Sequence, residues 1–255
     1  MLSLIEKHQN LLKNLKKIYQ RDCYKNIDLS PKLVGIVGER GVGKTTFLLN
    51  TISKVKNSSQ ALYISADDPY FSKNTLLETV ETFIKEYNGK LICIDEIHRY
   101  QDWVQELKNI YDFYPNIKII VSGSSAIDIT FKKQDLSRRL IINHMYGFSF
   151  REYLNVKYSK QFKKLNLKLI LSQDTYIDKI INTPRIIGIF KEYLKTGYYP
   201  FSYELKIDSF YKALKEVLDK VIYEDVSNIV MLKTQNLRQI RKILYFIATS
   251  HPVDF

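Results

Sequence analysis

The residues with the most chemistry to offer are a lysine and two threonines set directly behind a run of glycines. In GERGVGKTT, Gly38–Thr46, the glycines at 38, 41 and 43 permit a tight turn with backbone N–H groups pointing inward. Glu39, Arg40 and Val42 complete the loop. Those N–H groups, with the first turn of a following helix, form a cradle for phosphate. Lys44 then supplies a point charge near the β and γ phosphates of a nucleotide, and the Thr45 hydroxyl can ligate Mg2+. Thr46 would cap, pack or touch the α phosphate. The spacing differs from GxGxxG, which disfavours a dinucleotide cofactor.

A second constellation closes the apolar run KLICIDEIHRY, Lys90–Tyr100. Asp95 falls at the C-terminal end of a short buried strand, the edge where an open parallel sheet binds ligands. Asp95 would hold the magnesium, and Glu96 would face the γ phosphate and act as general base on water. The run NIKIIVSGSS, Asn116–Ser125, ends in polar residues. Ser122 or Ser124 could bond the attacking water or the γ phosphate; Ser122 stands closer to the strand end. Asp67 and Asp68, after ALYIS, either line the same edge or cap the helix beyond Pro69.

The elements that must position these groups alternate. A helix is followed by strand–loop–helix over 32–56, then strand 61–65, helix 75–87, strand 90–94, helix 101–112, strand 117–121 and a last strand within 139–147. Short Val/Ile-rich strands separated by helices predict an α/β fold with a mostly parallel sheet covered on both faces. At the N-terminus Leu4, His8, Leu11, Leu15, Ile18 and Tyr19 share one side of a helix expected to pack on the core. With 255 residues, the chain can build one large domain or two modest ones.

No stretch of eighteen apolar residues occurs, so a membrane span is not expected. Two isolated cysteines, Cys23 and Cys93, give no disulfide framework, and the four histidines have no metal spacing. Together with an N-terminus unlike a signal peptide, this points to a reducing, cytoplasmic setting. The net charge of +12 favours anionic partners, nucleic acid among them. Lysines at 157, 160, 163, 164 and 168, with Lys132 and Lys133, form either a solvated face or a nucleic-acid stripe.

Taken jointly, GERGVGKTT, YISADDPYF, the run from LICIDEIHRY to IIVSGSS, and DLSRRL with GFSFREYL resemble the prokaryotic AAA+-like P-loop ATPases, the archaeal and bacterial branch often carrying a C-terminal DUF4143 region. The likeness is strong over 30–155 and looser over 185–245. It implies a three-layer P-loop NTPase sandwich with a five-stranded sheet ordered 5-1-4-3-2, then a helical lid and the start of a winged-helix region. The implied boundaries are an N-terminal helix within 1–30, an ATPase core over 31–154 and helices over 155–255. The resemblance matches Lys44 and Thr45 to the Walker A pair, Asp95 and Glu96 to the Walker B pair, and Ser122 to sensor 1. It offers Arg138 or Arg139 as an arginine finger reaching a neighbouring subunit, and Arg185 as a candidate lid arginine touching nucleotide.

Phe148, Phe150 and Leu154 are expected to pack the lid on the core, with Arg151 pairing Glu152 or a neighbour. Leu237, Ile240, Ile243, Leu244 and Ile247 mark the apolar face of a last helix. The function expected is Mg-dependent ATP hydrolysis driving a conformational or assembly change; no NKxD segment is present to select guanine. A nucleic-acid-associated ATP switch with little hydrolysis is the alternative. A small-molecule kinase is less suited, because Glu96 beside Asp95 points to water activation.

Overall fold

Strands buried on both faces carry apolar residues at nearly every position, and their alternate side chains feed two separate cores. This is the arrangement in a computed structural model that describes residues 1–15, 19–124, 136, 138–171, 182–226 and 234–250. Five parallel strands, β1 (Leu33–Val37), β2 (Ala61–Ser65), β3 (Leu91–Asp95), β4 (Lys118–Gly123) and β5 (Leu140–His144), lie in the order β2-β3-β4-β1-β5, which read from the other edge is 5-1-4-3-2.

On one face Leu33, Leu62, Ile94 and Val121 pack against α1 (Leu2–Lys13), α4 (Leu76–Tyr87) and α5 (Trp103–Phe113). On the other, Val34, Ile36, Cys93 and Ile120 pack against α3 (Lys44–Ile52) and the segment around α2 (Asp22–Asn26). Helix α4 starts at a capping box between Thr75 and Glu78 and stops where Asn88 turns left-handed. Helix α1 covers the edge strand: His8 Nδ1 accepts the Tyr63 N–H at 3.2 Å.

Several expectations change. Helix α1 ends at Lys13, so Leu15 and Tyr19 lie beyond it; Leu4 and His8 are buried, but Leu11 is exposed. Ile18, Lys132 and Lys133 lie outside the described residues. Asp68 caps the short 3-10 turn Pro69–Ser72 and pairs with Lys7, the structural of its two readings.

Beyond β5, α6 (Phe150–Lys157) begins at a Ser149–Glu152 capping box, and Tyr153, Leu154 and Ile189 seed a small aromatic core. Arg151 pairs with Asp22, because Glu152 is taken by Arg21. After α6 the chain leaves the helix over 158–166 before α7 (Leu167–Leu171), so Lys160, Lys163 and Lys164 do not share a helical face with Lys157 and Lys168. Then come α8 (Ile186–Glu192), a π-helical turn Tyr193–Gly197, a 3-10 turn Pro200–Glu204, α9 (Ile207–Lys220), a π-helical turn Val221–Val226 and α10 (Thr234–Thr249). Of the α10 face, Leu237 is buried, whereas Ile243, Leu244 and Ile247 are exposed.

Candidate functional site

The turn from β1 into α3 is built around positions that exclude side chains. A Cβ on Gly38 would stand 2.2 Å from the Met145 carbonyl oxygen, and Gly41 and Gly43 hold φ of 85° and 98°, where other residues are strained. Val42 is buried and fastens the loop to the core. Lys44 opens α3 and turns its Nζ back to the carbonyls of Gly38 at 2.9 Å and Glu39 at 3.0 Å. Burial lowers its affinity for a proton, and the Glu96 and Asp95 carboxylates work the other way.

Parallel pairing of β3 beside β4 brings Asp95, Glu96 and Ser122 to that same edge. Asp95 is buried and accepts hydrogen bonds from Thr45 Oγ1 at 2.5 Å, from the Tyr63 hydroxyl at 2.8 Å and from Ser122 Oγ. Ser122 Oγ in turn accepts the Glu96 N–H at 3.1 Å. Ser122 is therefore spent on Asp95 and on the Glu96 backbone, while Ser124, also buried, lines a different cavity beside Glu39 and Arg40. Glu96 sits at φ 50°, a left-handed conformation that costs a non-glycine residue about 1–2 kcal/mol, and it turns the chain sharply after the strand. Burial raises the Glu96 carboxyl above the usual range, with Lys44 opposing.

The loop is gripped from both sides by residues distant in sequence. The buried Arg21 donates to Val42 O at 2.9 Å, to Tyr146 O at 2.8 Å, to Gly147 O at 2.6 Å and to Glu152 Oε1 at 3.1 Å. On the other side Arg40 donates to Asp225 Oδ1 at 2.8 Å and Oδ2 at 3.2 Å, and Glu224 takes both Arg40 and Arg99. Glu39 accepts from the hydroxyls of Tyr198 at 3.3 Å and Tyr199 at 3.0 Å. The C-terminal helical region is thus fastened to the phosphate loop through both of its charged tip residues.

A cavity of about 460 Å³ opens over Lys44, Thr45, Thr46 and Glu96, with Arg40 and Lys220 on its wall. A second, of about 490 Å³, adjoins it through Gly43 and Thr46 and is walled by Tyr19, Tyr24, Val42 and Phe148. The first suits a chain of phosphates and the second a flat apolar ring. Lys220, on α9, is the helical-region cation that lines the phosphate cavity; Arg185 is exposed at the start of α8 and lines neither.

The two arginines before β5 lie at the N-terminal edge of the sheet, opposite the phosphate loop, since Leu140 registers with Leu33 and His144 with Val37. Arg138 is exposed; Arg139 pairs with Asp112 at 3.0 Å and lies over the Tyr111 ring. Sequence reasoning missed Arg21, Tyr63, Tyr198, Tyr199, Lys220, Glu224 and Asp225. Each acts through a partner distant in sequence or a shared cavity, for which no spacing rule exists.

The residues present suit magnesium and a phosphate group. The Gly38 cradle admits no Cβ, Glu96 Oε2 is buried without a hydrogen-bond partner among the described residues, and Thr45 and Asp95 are oxygen donors of the kind Mg2+ takes. Among the described residues no helix is long and apolar enough to cross a membrane, and no His/Cys/Asp/Glu cluster of metal-binding kind occurs.

Comparison with known proteins adds three findings. An uncharacterized protein of Methanocaldococcus jannaschii is 30% identical over 230 residues, covering 85% of this chain; the chain spans 48% of that relative's length. The ADP complex of S. cerevisiae Hsp104 aligns with 94% of this chain and 41% of its own, at 16% identity and a TM-score of 0.42. The third finding comes from the stretch that holds the sheet, the glycine loop and both carboxylates: residues 30–154 match the model of the AAA domain family.

Proposed function

We propose that the chain binds ATP with magnesium and hydrolyses the γ phosphate, using the change to shift its C-terminal helical region against the phosphate loop. The observation that carries this reading is the joining of Thr45, Asp95 and Ser122 in one hydrogen-bond network, with Lys44 and Glu96 on the wall of the adjoining cavity.

Loop N–H groups and Lys44 bind the phosphates, and Lys44 exchanges its two carbonyl partners for phosphate oxygens. Magnesium held by Thr45 Oγ1 and Asp95 would supply charge neutralisation on the phosphates. Glu96 takes a proton from water as the water oxygen bonds to the γ phosphorus and the bond to the β-bridging oxygen breaks. Burial suits Glu96 to this, because it raises the basicity of the carboxylate. Ser122 sets Asp95 and the Glu96 backbone in place. The aromatic cavity of Tyr19, Tyr24 and Phe148 takes the base. Arg138 and Arg139 precede β5 at the sheet edge opposite their own loop, so a finger role requires a second copy of the chain.

The test is Glu96→Gln. The variant should retain ATP binding and lose at least about 100-fold in hydrolysis, the range expected for removing a general base. Hydrolysis at the wild-type rate would reject the assignment of Glu96. A wild-type chain that binds ATP but turns over none would leave a nucleotide switch in place of an ATPase.

A further inference from the structure

Three residues after Asp95, the mechanism has left one buried side chain unused. His98 lies in the 3-10 turn Ile97–Arg99 that follows Glu96, and only 10% of its side chain is exposed. Its Nε2 stands 3.2 Å from Glu96 Oε2, outside hydrogen-bond alignment. Neither ring nitrogen, nor Glu96 Oε2, has a hydrogen-bond partner among the described residues. Burying polar atoms in this state costs about 1–3 kcal/mol per group, so an apolar side chain would serve a merely structural role better.

The turn carrying His98 is fixed on every side. Ile97 is fully buried in the core, and the Arg99 N–H bonds the Glu96 carbonyl at 2.8 Å. The Arg99 guanidinium is held by Glu224, and the Tyr100 hydroxyl by Glu106. The imidazole itself is held by no hydrogen bond among the described residues. Burial, reinforced by the cations Arg99, Arg40 and Lys44 and opposed by Asp225, pushes the ring down to about 4. At neutral pH it therefore carries a single N–H, and the nearest unpartnered acceptor is Glu96 Oε2.

We propose that His98 is a positioning residue for Glu96: a small ring rotation brings its Nε2–H into line with Oε2, which holds the carboxylate so that its other oxygen takes the proton of water. This rests on the reading of Glu96 as the general base. His98 touches no reacting atom; it selects one Glu96 rotamer, whose misplacement by an ångström would cost rate without costing nucleotide affinity.

The experiment uses the full chain and two independent readouts. Steady-state ATP hydrolysis and binding of a fluorescent ATP analogue are measured for wild type, His98→Ala and His98→Gln, with thermal melts to verify folding. Expected for His98→Ala is a fall in kcat of about 10-fold, part of the 10²–10⁴-fold supplied by a general base. Its KM and analogue affinity should stay within about twofold, and His98→Gln, which restores a donor, should recover most of the loss. An unchanged kcat in His98→Ala, or equal losses of kcat and affinity in both variants, overturns the proposal. The second readout is the ring ¹⁵N shifts of His98, which need no turnover. An Nε2–H tautomer in wild type that becomes mixed in Glu96→Ala supports the contact. Identical shifts in the two overturn it. If the wild-type chain hydrolyses nothing while the shifts respond, the hydrolytic reading fails and the contact stands.

Discussion

Asp225→Asn should loosen the C-terminal helical region from the phosphate loop without disturbing the sheet. The Asp225 side chain is 2% exposed and meets Arg40 through two parallel hydrogen bonds of 2.8 and 3.2 Å. Hydrogen bonds to a charged group are each worth about 1.5–3 kcal/mol, and a fully buried pair broken at one partner costs about 3–5 kcal/mol. Two features reduce this. Asparagine keeps one acceptor oxygen, and Arg40 borders an open cavity where its side chain is 15% exposed and can be rehydrated. The net loss is about 2 kcal/mol, which is about 30-fold in the equilibrium for undocking. Amide hydrogen exchange reads it directly: amides of 193–226 should exchange about 30-fold faster, those of β1–β5 at the wild-type rate. Glu224→Gln is the control, because Glu224 is 37% exposed and its pair with Arg99 is worth about 0–1 kcal/mol. Acceleration below about threefold in Asp225→Asn, or an equal effect in Glu224→Gln, would refute the assignment of the buried carboxylate as the fastening.

Arg21→Met should cost about 3 kcal/mol in urea unfolding, since it strands Glu152 and three backbone carbonyls; a loss under about 1 kcal/mol would show that these partners find water. Acid should destabilise the fold partly through His98, whose proton affinity falls from 6.5 to about 4 on folding, so the unfolded chain takes up the proton first as pH drops. Its share of stability is complete above 6.5 and is lost by about 4, a difference of about 3 kcal/mol. The raised Glu96 has the opposite sign, so the check is the difference between wild type and His98→Gln melts across that window; parallel curves would refute it. Hydrolysis per chain should rise with protein concentration, and Arg138→Ala or Arg139→Ala should abolish the rise; a flat profile for the wild type at dilutions that keep it monomeric would show that each chain works alone.

What was legible in the sequence is what short-range rules control. Val/Ile-rich runs broken by glycines mark β1 and its turn, and the same logic puts β2, β3 and β4 within a residue or two of their observed ends. Parallel pairing then carries Lys44, Asp95 and Ser122 to one edge, because each stands at or just beyond the C-terminal end of its strand. Patterns failed where an element's pattern does not name its partner. The apolar face of α10 has the right period, yet most of it meets solvent, since amphipathicity states what a helix could bury and not what is there to cover it. The lysines after α6 fit a helical stripe until the chain leaves the helix at Tyr158.

The largest gap concerns the charged residues that grip the loop. Arg40 and Asp225 stand 185 residues apart and Arg21 and Glu152 131, separations at which no spacing rule operates. Before folding, Arg21 and Arg40 are two more arginines in a chain rich in cations, and a solvated face is the ordinary expectation for them and for their carboxylate partners. What distinguishes them is burial, and burial comes from how α6 and the helices of 186–226 settle around the glycine turn, not from their own neighbours in sequence. Arg139 makes the converse case. Its position before β5 invites a catalytic role, yet within its own chain it lies over Tyr111 and pairs with Asp112, at the edge opposite the cavity that holds Lys44. Local motif and tertiary environment thus part over Arg139 and agree on Arg40, which the glycine loop carries in sequence and the C-terminal carboxylates hold at the wall of the phosphate cavity.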